Sequence, residues 1–89
     1  MSARPYHMPG RLSGRREMVR HAAGLAAESA LAAAEKDVLL LVLDDAREAV
    51  VRVSLRRYAM DQTKAAQALG VNRTTLRKFM RRYGLLVRR

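Results

Sequence analysis

From Arg15 onward, Met18, Ala22, Leu25, Ala26, Ala30, Leu31 and Ala34 recur at intervals of three and four. This spacing predicts an amphipathic helix over residues 15–34, supported by the high helix propensity of alanine and weakened only at Gly24. A second helix is predicted from about Lys36 to Tyr58, because nothing in DVLLLVLDDAREAVVRVSLRRY breaks it and Asp37 suits the positive end of its first turn. The opening of that helix, residues 38–43, is apolar on every side. One short Ala-rich neighbour cannot cover such a surface, so in a chain this small the pattern implies packing against a second copy. The candidate interface is Val38, Leu39, Leu41, Val42, Leu43, Ala46 and Val50; burial within a monomeric bundle is the alternative.

The C-terminal third predicts two short helices joined by a tight turn. Asp61 is a good N-cap for QTKAAQAL, and Gly70 stands where a left-handed C′ residue commonly ends a helix. Val71 is the turn residue, Asn72 caps the next helix, RTTLRKFMRRY, and Gly84 ends it. Residues 1–14 hold both prolines, two of the five glycines and no apolar period, and read as a flexible basic arm. The expected architecture is an all-α, four-helix chain: an arm (1–14), a helical dimerisation region (15–60) and a helix-turn-helix (61–89).

Composition narrows the function. With 89 residues the chain supports one compact domain that buries only about 60–65% of its unfolded surface, so oligomerisation would help it. There is no cysteine, and His7 and His21 lie near no second ligand at metal spacing, so no disulfide, metal or cofactor is expected. The longest apolar run has six residues between Asp37 and Asp44, far short of the roughly 20 that a membrane span requires, and a cytoplasmic location without export is expected. The chain offers no Ser, His and carboxylate set and no glycine-rich phosphate loop, and Asp44 and Asp45 face different sides of a helix. An enzyme is therefore not expected.

The net charge of +10 is unevenly placed. Residues 1–20 carry five Arg against Glu17; residues 21–50 carry six acidic residues against two basic; residues 51–89 carry eleven basic residues against Asp61 alone. Arg and Lys side chains release condensed counterions when they meet phosphate, so a segment this basic favours a polyanion.

In a helix-turn-helix the two helices cross closely, which demands small residues in the first, a Gly in the turn and apolar residues that staple the pair. Here Ala65, Ala66 and Leu69 supply one inner face, Gly70 and Val71 the turn, and Leu76, Met80 and Tyr83 the other inner face. Outside remain Arg73, Thr74, Arg77, Lys78 and Arg81, with no acidic residue among them. Like charges at the pairs Arg73 and Arg77, and Lys78 and Arg82, each cost a few tenths of a kcal/mol unless a polyanion neutralises them. The start of a recognition helix lies deepest in the groove, which makes Asn72 and Arg73 the candidates for base edges, the Arg for guanine and the Asn for adenine, with plain helix capping as the alternative for Asn72. Thr63, Lys64, Thr74, Thr75, Arg77, Lys78 and Arg81 are placed for phosphates.

The run DQTKAAQALGVNRTTLRKFMRRYGL resembles the C-terminal helix-turn-helix of the Fis family of bacterial nucleoid proteins, a motif shared with the C-terminal domains of enhancer-binding transcriptional activators. The resemblance extends back to about Asp37. It implies an intertwined helical homodimer that inserts residues 73–83 of each protomer into successive major grooves, bends DNA and regulates transcription or nucleoid organisation. It also implies base contacts from Asn72 and Arg73 and phosphate contacts from Thr63, Lys64, Thr75, Arg77 and Lys78. This sequence departs from the family at Met60 (usually Gly), Asp61 (usually Asn), Phe79 (often basic) and Ala49 (often a kinking Pro). Residues 1–20 do not resemble the family's N-terminal arm, so contact with a recombinase or RNA polymerase is left open. Two other readings are the DNA-binding and dimerising tail of a larger activator and, in a different class, a helical protein-interaction module with an incidental basic tail.

Overall fold

A computed structural model of the chain describes residues 14–86. The basic arm expected over 1–14 therefore lies, apart from Gly14, outside the described residues. Four helices follow in order: α1 (Arg15–Ala32), α2 (Val38–Arg57), α3 (Gln62–Leu69) and α4 (Arg73–Arg82). There is no strand among the described residues, and the fold is all-α as the periodicity predicts. The chain divides between Val42 and Leu43 into two compact units.

All four helices end in the same way. At the end of α1 the Glu35 N–H donates to the Ala30 carbonyl and the Ala34 N–H to that of Leu31, both at 3.0 Å, with Ala34 left-handed at φ 59°. The same pair of bonds, six-to-one and five-to-two, closes α2 around Ala59 (φ 51°), α3 around Gly70 (φ 77°) and α4 around Gly84 (φ 69°). This Schellman geometry satisfies carbonyls that would otherwise face no partner. Glycine occupies the left-handed position twice and alanine twice, and a left-handed residue other than glycine is why sequence reading overruns the junction between α1 and α2. Without a glycine to mark the stop, the first helix is predicted to continue to residue 34 and the second to begin at 36. The left-handed residues Ala34 and Asp37 (φ 55°) end one at Ala32 and delay the other to Val38, where the Asp37 carbonyl accepts from the Leu41 N–H at 3.0 Å.

In the first unit α1 buries only Ala30, while Met18, Val19, Leu25 and Leu31 stay exposed. Leu39 and Leu40, in the first turn of α2, are 72% and 67% exposed, while Val38 and Val42 are half-buried.

The second unit has a small closed core. Val51 and Leu55 of α2 meet Ala65 and Ala66 of α3 and Leu76 and Met80 of α4, all nearly inaccessible to solvent. Tyr58, Leu69, Val71, Phe79, Tyr83, Leu85 and Leu86 pack around it. The inner faces predicted for the two short helices are thus correct, but they close on the second half of α2 as well as on each other. The outer side of α2 here, at Leu43, Val50 and Val53, remains about half exposed.

Candidate nucleic-acid interface

The site is built on two helix starts and one turn. The Asp61 carboxylate accepts from the Lys64 N–H at 3.0 Å and opens α3; the Asn72 Oδ1 accepts from the Thr75 N–H at 2.7 Å and opens α4. Each cap side chain fixes a backbone donor that has no partner within its helix. Between them Gly70, at φ 77° and ψ 27°, turns the chain in a conformation that costs a residue with a Cβ about 1–2 kcal/mol. The turn brings Ala65 and Ala66 against Leu76 and Met80, and the small alanines let the two helices approach closely.

With these inner residues fixed, the outer face of α4 follows from helical geometry. At about 100° per residue, positions 73, 77, 81, 74 and 78 fall within an arc of roughly 140°. Arg73, Thr74, Lys78 and Arg81 are exposed on it, Arg77 is half-buried, and no acidic residue interrupts it. Thr63 and Lys64, in the first turn of α3, are also exposed. Thr75 lies outside this arc and is half-buried.

Three side chains differ in detail from the sequence reading. Asn72 is engaged as a cap through Oδ1, which leaves its Nδ2 group as the outward donor. Arg77 is not simply solvated: its Nη1 donates to Gln62 Oε1 at 3.1 Å, so the first residue of α3 holds it in place. Arg82, grouped in the sequence with Lys78 as an unrelieved like-charge pair, has its own counter-charge. Its Nε meets Asp44 Oδ1 at 2.9 Å. That expectation is corrected, and the reason is geometric: Arg82 sits about 180° around α4 from Arg73, on the side turned toward α2.

The same Asp44 oxygen accepts the Tyr83 hydroxyl at 2.8 Å and Arg47 Nη1 at 3.3 Å. The hydrogen bond from Arg82, then that from Tyr83, holds the Asp44 carboxyl below its ordinary value, and Asp44 in turn holds Arg82 more firmly protonated. Arg47 also lies 5.3 Å from the centroid of the Phe79 ring, a cation–π distance that gives this aromatic, at a position often basic in the resembled family, a partner on α2. Sequence reasoning missed these links because the pairs Gln62 and Arg77, and Asp44 and Tyr83, lie 15 and 39 residues apart, beyond any helical period. Among the described residues no cluster of His, Cys, Asp or Glu could hold a metal ion, and no helix is long and apolar enough to cross a membrane.

Comparison with known proteins agrees with the motif. The chain is similar to the DNA-binding protein Fis of Buchnera aphidicola, 38% identical over 45 residues, covering 51% of this chain and 46% of that protein. It is likewise similar to DNA-binding protein Fis of Proteus mirabilis and of Aliivibrio fischeri, each 37% identical over 49 residues, covering 55% of this chain and 50% of the relative. The chain thus matches about half the length of these curated relatives. No protein-family model and no solved structure matches it.

Proposed function

We propose that this chain is a Fis-like, homodimeric bacterial DNA-binding protein of the cytoplasm that inserts α4 into the major groove, bends the duplex and regulates transcription or nucleoid organisation. The observation that carries the reading is the acid-free arc of Arg73, Thr74, Lys78 and Arg81, presented by a helix whose opposite face is locked into a core. A merely solvated helix face would mix signs at i,i+4 spacing. Similarity to proteins named DNA-binding protein Fis supports the same reading.

In this reading Arg73, at the leading end of α4, donates to guanine O6 and N7, and Asn72 donates its Nδ2 group to an acceptor beside it. Lys64, Arg77, Lys78 and Arg81 meet phosphates, with Thr63, Thr74 and Thr75 adding hydrogen bonds. A duplex titration over a salt series tests it: log K falls linearly with log salt at a slope of about −0.9 per phosphate neutralised. A salt-independent or absent complex contradicts the reading.

Dimerisation uses Val38, Leu39, Leu41, Val42, Leu43, Ala46 and Val50. Large apolar side chains left about half or more exposed, as at Leu39, Leu43 and Val50, support it, since a second copy would take this surface out of water. Replacing Leu43 by Glu adds a charge at a position already 51% exposed, so the protomer tolerates it while the dimer does not. Sedimentation showing an intact dimer for Leu43→Glu contradicts the interface.

A further inference from the structure

A helix that reads bases must be held in position as well as carry the right side chains. α4 has ten residues, hence a length of about 15 Å. A tilt of roughly 10° about one end moves the other by about 2.5 Å, more than the tolerance of a hydrogen bond. Its N-terminal end is fixed by the Gly70 turn and the Asn72 cap, and its middle by the bond between Arg77 and Gln62. The C-terminal end has a separate attachment. There the Tyr83 hydroxyl and the Arg82 guanidinium both reach one oxygen of Asp44, at 2.8 and 2.9 Å.

We propose that Asp44 is a positioning residue for DNA recognition: it fastens the C-terminal end of α4 to α2 through Tyr83 and Arg82, thereby sets the angle at which Arg73 meets the base edges, and withdraws Arg82 from the phosphate-contacting set. This rests on the DNA-binding reading above. The two donors do different work. The Arg82 side chain is 60% exposed, so its ion pair is screened by solvent and anchors weakly. Tyr83 is half-buried, packs against the core and aims its hydroxyl at Asp44, so it carries most of the positional constraint. Arg47 reinforces the same carboxylate at 3.3 Å while lying over Phe79, which adds to the contacts between α2 and α4.

The test compares the intact chain with Tyr83→Phe, Asp44→Asn and Arg82→Gln, using a duplex chosen by selection from a randomised pool and a scrambled duplex of the same length. Tyr83→Phe keeps the ring and the net charge, and circular dichroism at the assay temperature establishes that each variant is folded. Tyr83→Phe and Asp44→Asn are expected to lower the ratio of selected to scrambled affinity by roughly fivefold or more, the size of one mismatched base pair. Arg82→Gln is expected to leave the salt slope unchanged. A merely structural role would lower the melting temperature without moving the ratio. Folded variants with an unchanged ratio overturn the positioning role, and a slope reduced by about one in Arg82→Gln overturns the withdrawal of that cation from phosphate. If the wild-type chain binds no duplex, or prefers no sequence, the DNA reading fails and this proposal fails with it.

Discussion

Arg77 donates to Gln62 Oε1 at 3.1 Å, joining the first residue of α3 to the fifth of α4. One bond thereby braces the two helices of the motif and orders a cationic side chain before any ligand arrives. Ordering a long side chain at binding costs about 0.5–1.5 kcal/mol. Gln62→Ala should weaken DNA binding by about that amount and leave the salt slope unaltered, since Arg77 itself is retained. Fluorescence titration at two salt concentrations checks both parts.

Arg73 and Lys78 share an exposed arc of α4, and the proposed reading gives Arg73 a base edge and Lys78 a phosphate. Arg73→Ala should cost about 1–3 kcal/mol on the preferred site and relax base preference, because a lost bidentate contact affects one sequence more than others. Lys78→Ala should weaken all duplexes evenly and reduce the salt slope by about one. Competition binding against a panel of single-base variants separates the two outcomes.

The left-handed residues that end the helices make a stability prediction of opposite signs. No atom of a residue beyond its chain neighbours lies within 4 Å of where a Cβ would stand on Gly70, so Gly70→Ala meets no clash and should cost about 0.5–1 kcal/mol, the left-handed strain less the reduced freedom of the unfolded chain. Ala59→Gly, at φ 51°, should gain about 0.5–1 kcal/mol, since relief of the same strain outweighs the greater freedom of an unfolded glycine. Urea denaturation of the two variants measures both changes. Met60, at φ 67°, is strained in the same way.

Asp44 gives the unit a pH dependence with a definite sign. Its carboxyl is held below the ordinary value by Arg82 of α4 and by Tyr83 just after it, with Arg47 of α2 assisting. The stabilisation is therefore fully present above the carboxylate's unfolded value and is lost as pH falls through the lower, folded one. Urea midpoints measured at successively more acid pH should fall less steeply for Asp44→Asn than for the wild-type chain. Parallel curves would show that the carboxylate contributes nothing.

The chain announces its local features clearly. Asp61, Gly70, Asn72 and Gly84 mark the ends of α3 and α4 because each terminus depends on one residue with a specific capping or left-handed role. α4 is unambiguous for the same reason: Leu76 and Met80 inside and Arg73, Lys78 and Arg81 outside can satisfy only one rotation. What escapes the sequence is contact over distance. Nothing in the period of α2 singles out Asp44 as the partner of Tyr83, or shows that Val51 and Leu55 complete the core of the motif. The Ala34 and Ala59 stops were equally silent, since alanine otherwise favours continuing a helix.

The central claim, that the outer face of α4 lies on DNA, is tested most directly by following backbone amide signals of isotope-labelled protein during titration with duplex DNA at low ionic strength. The account predicts shifts concentrated at Arg73, Thr74, Arg77, Lys78 and Arg81 and at Thr63 and Lys64, with Val51 and Leu55 unmoved. Signals of α4 that stay in place at saturating duplex, or shifts confined to α1, would contradict it.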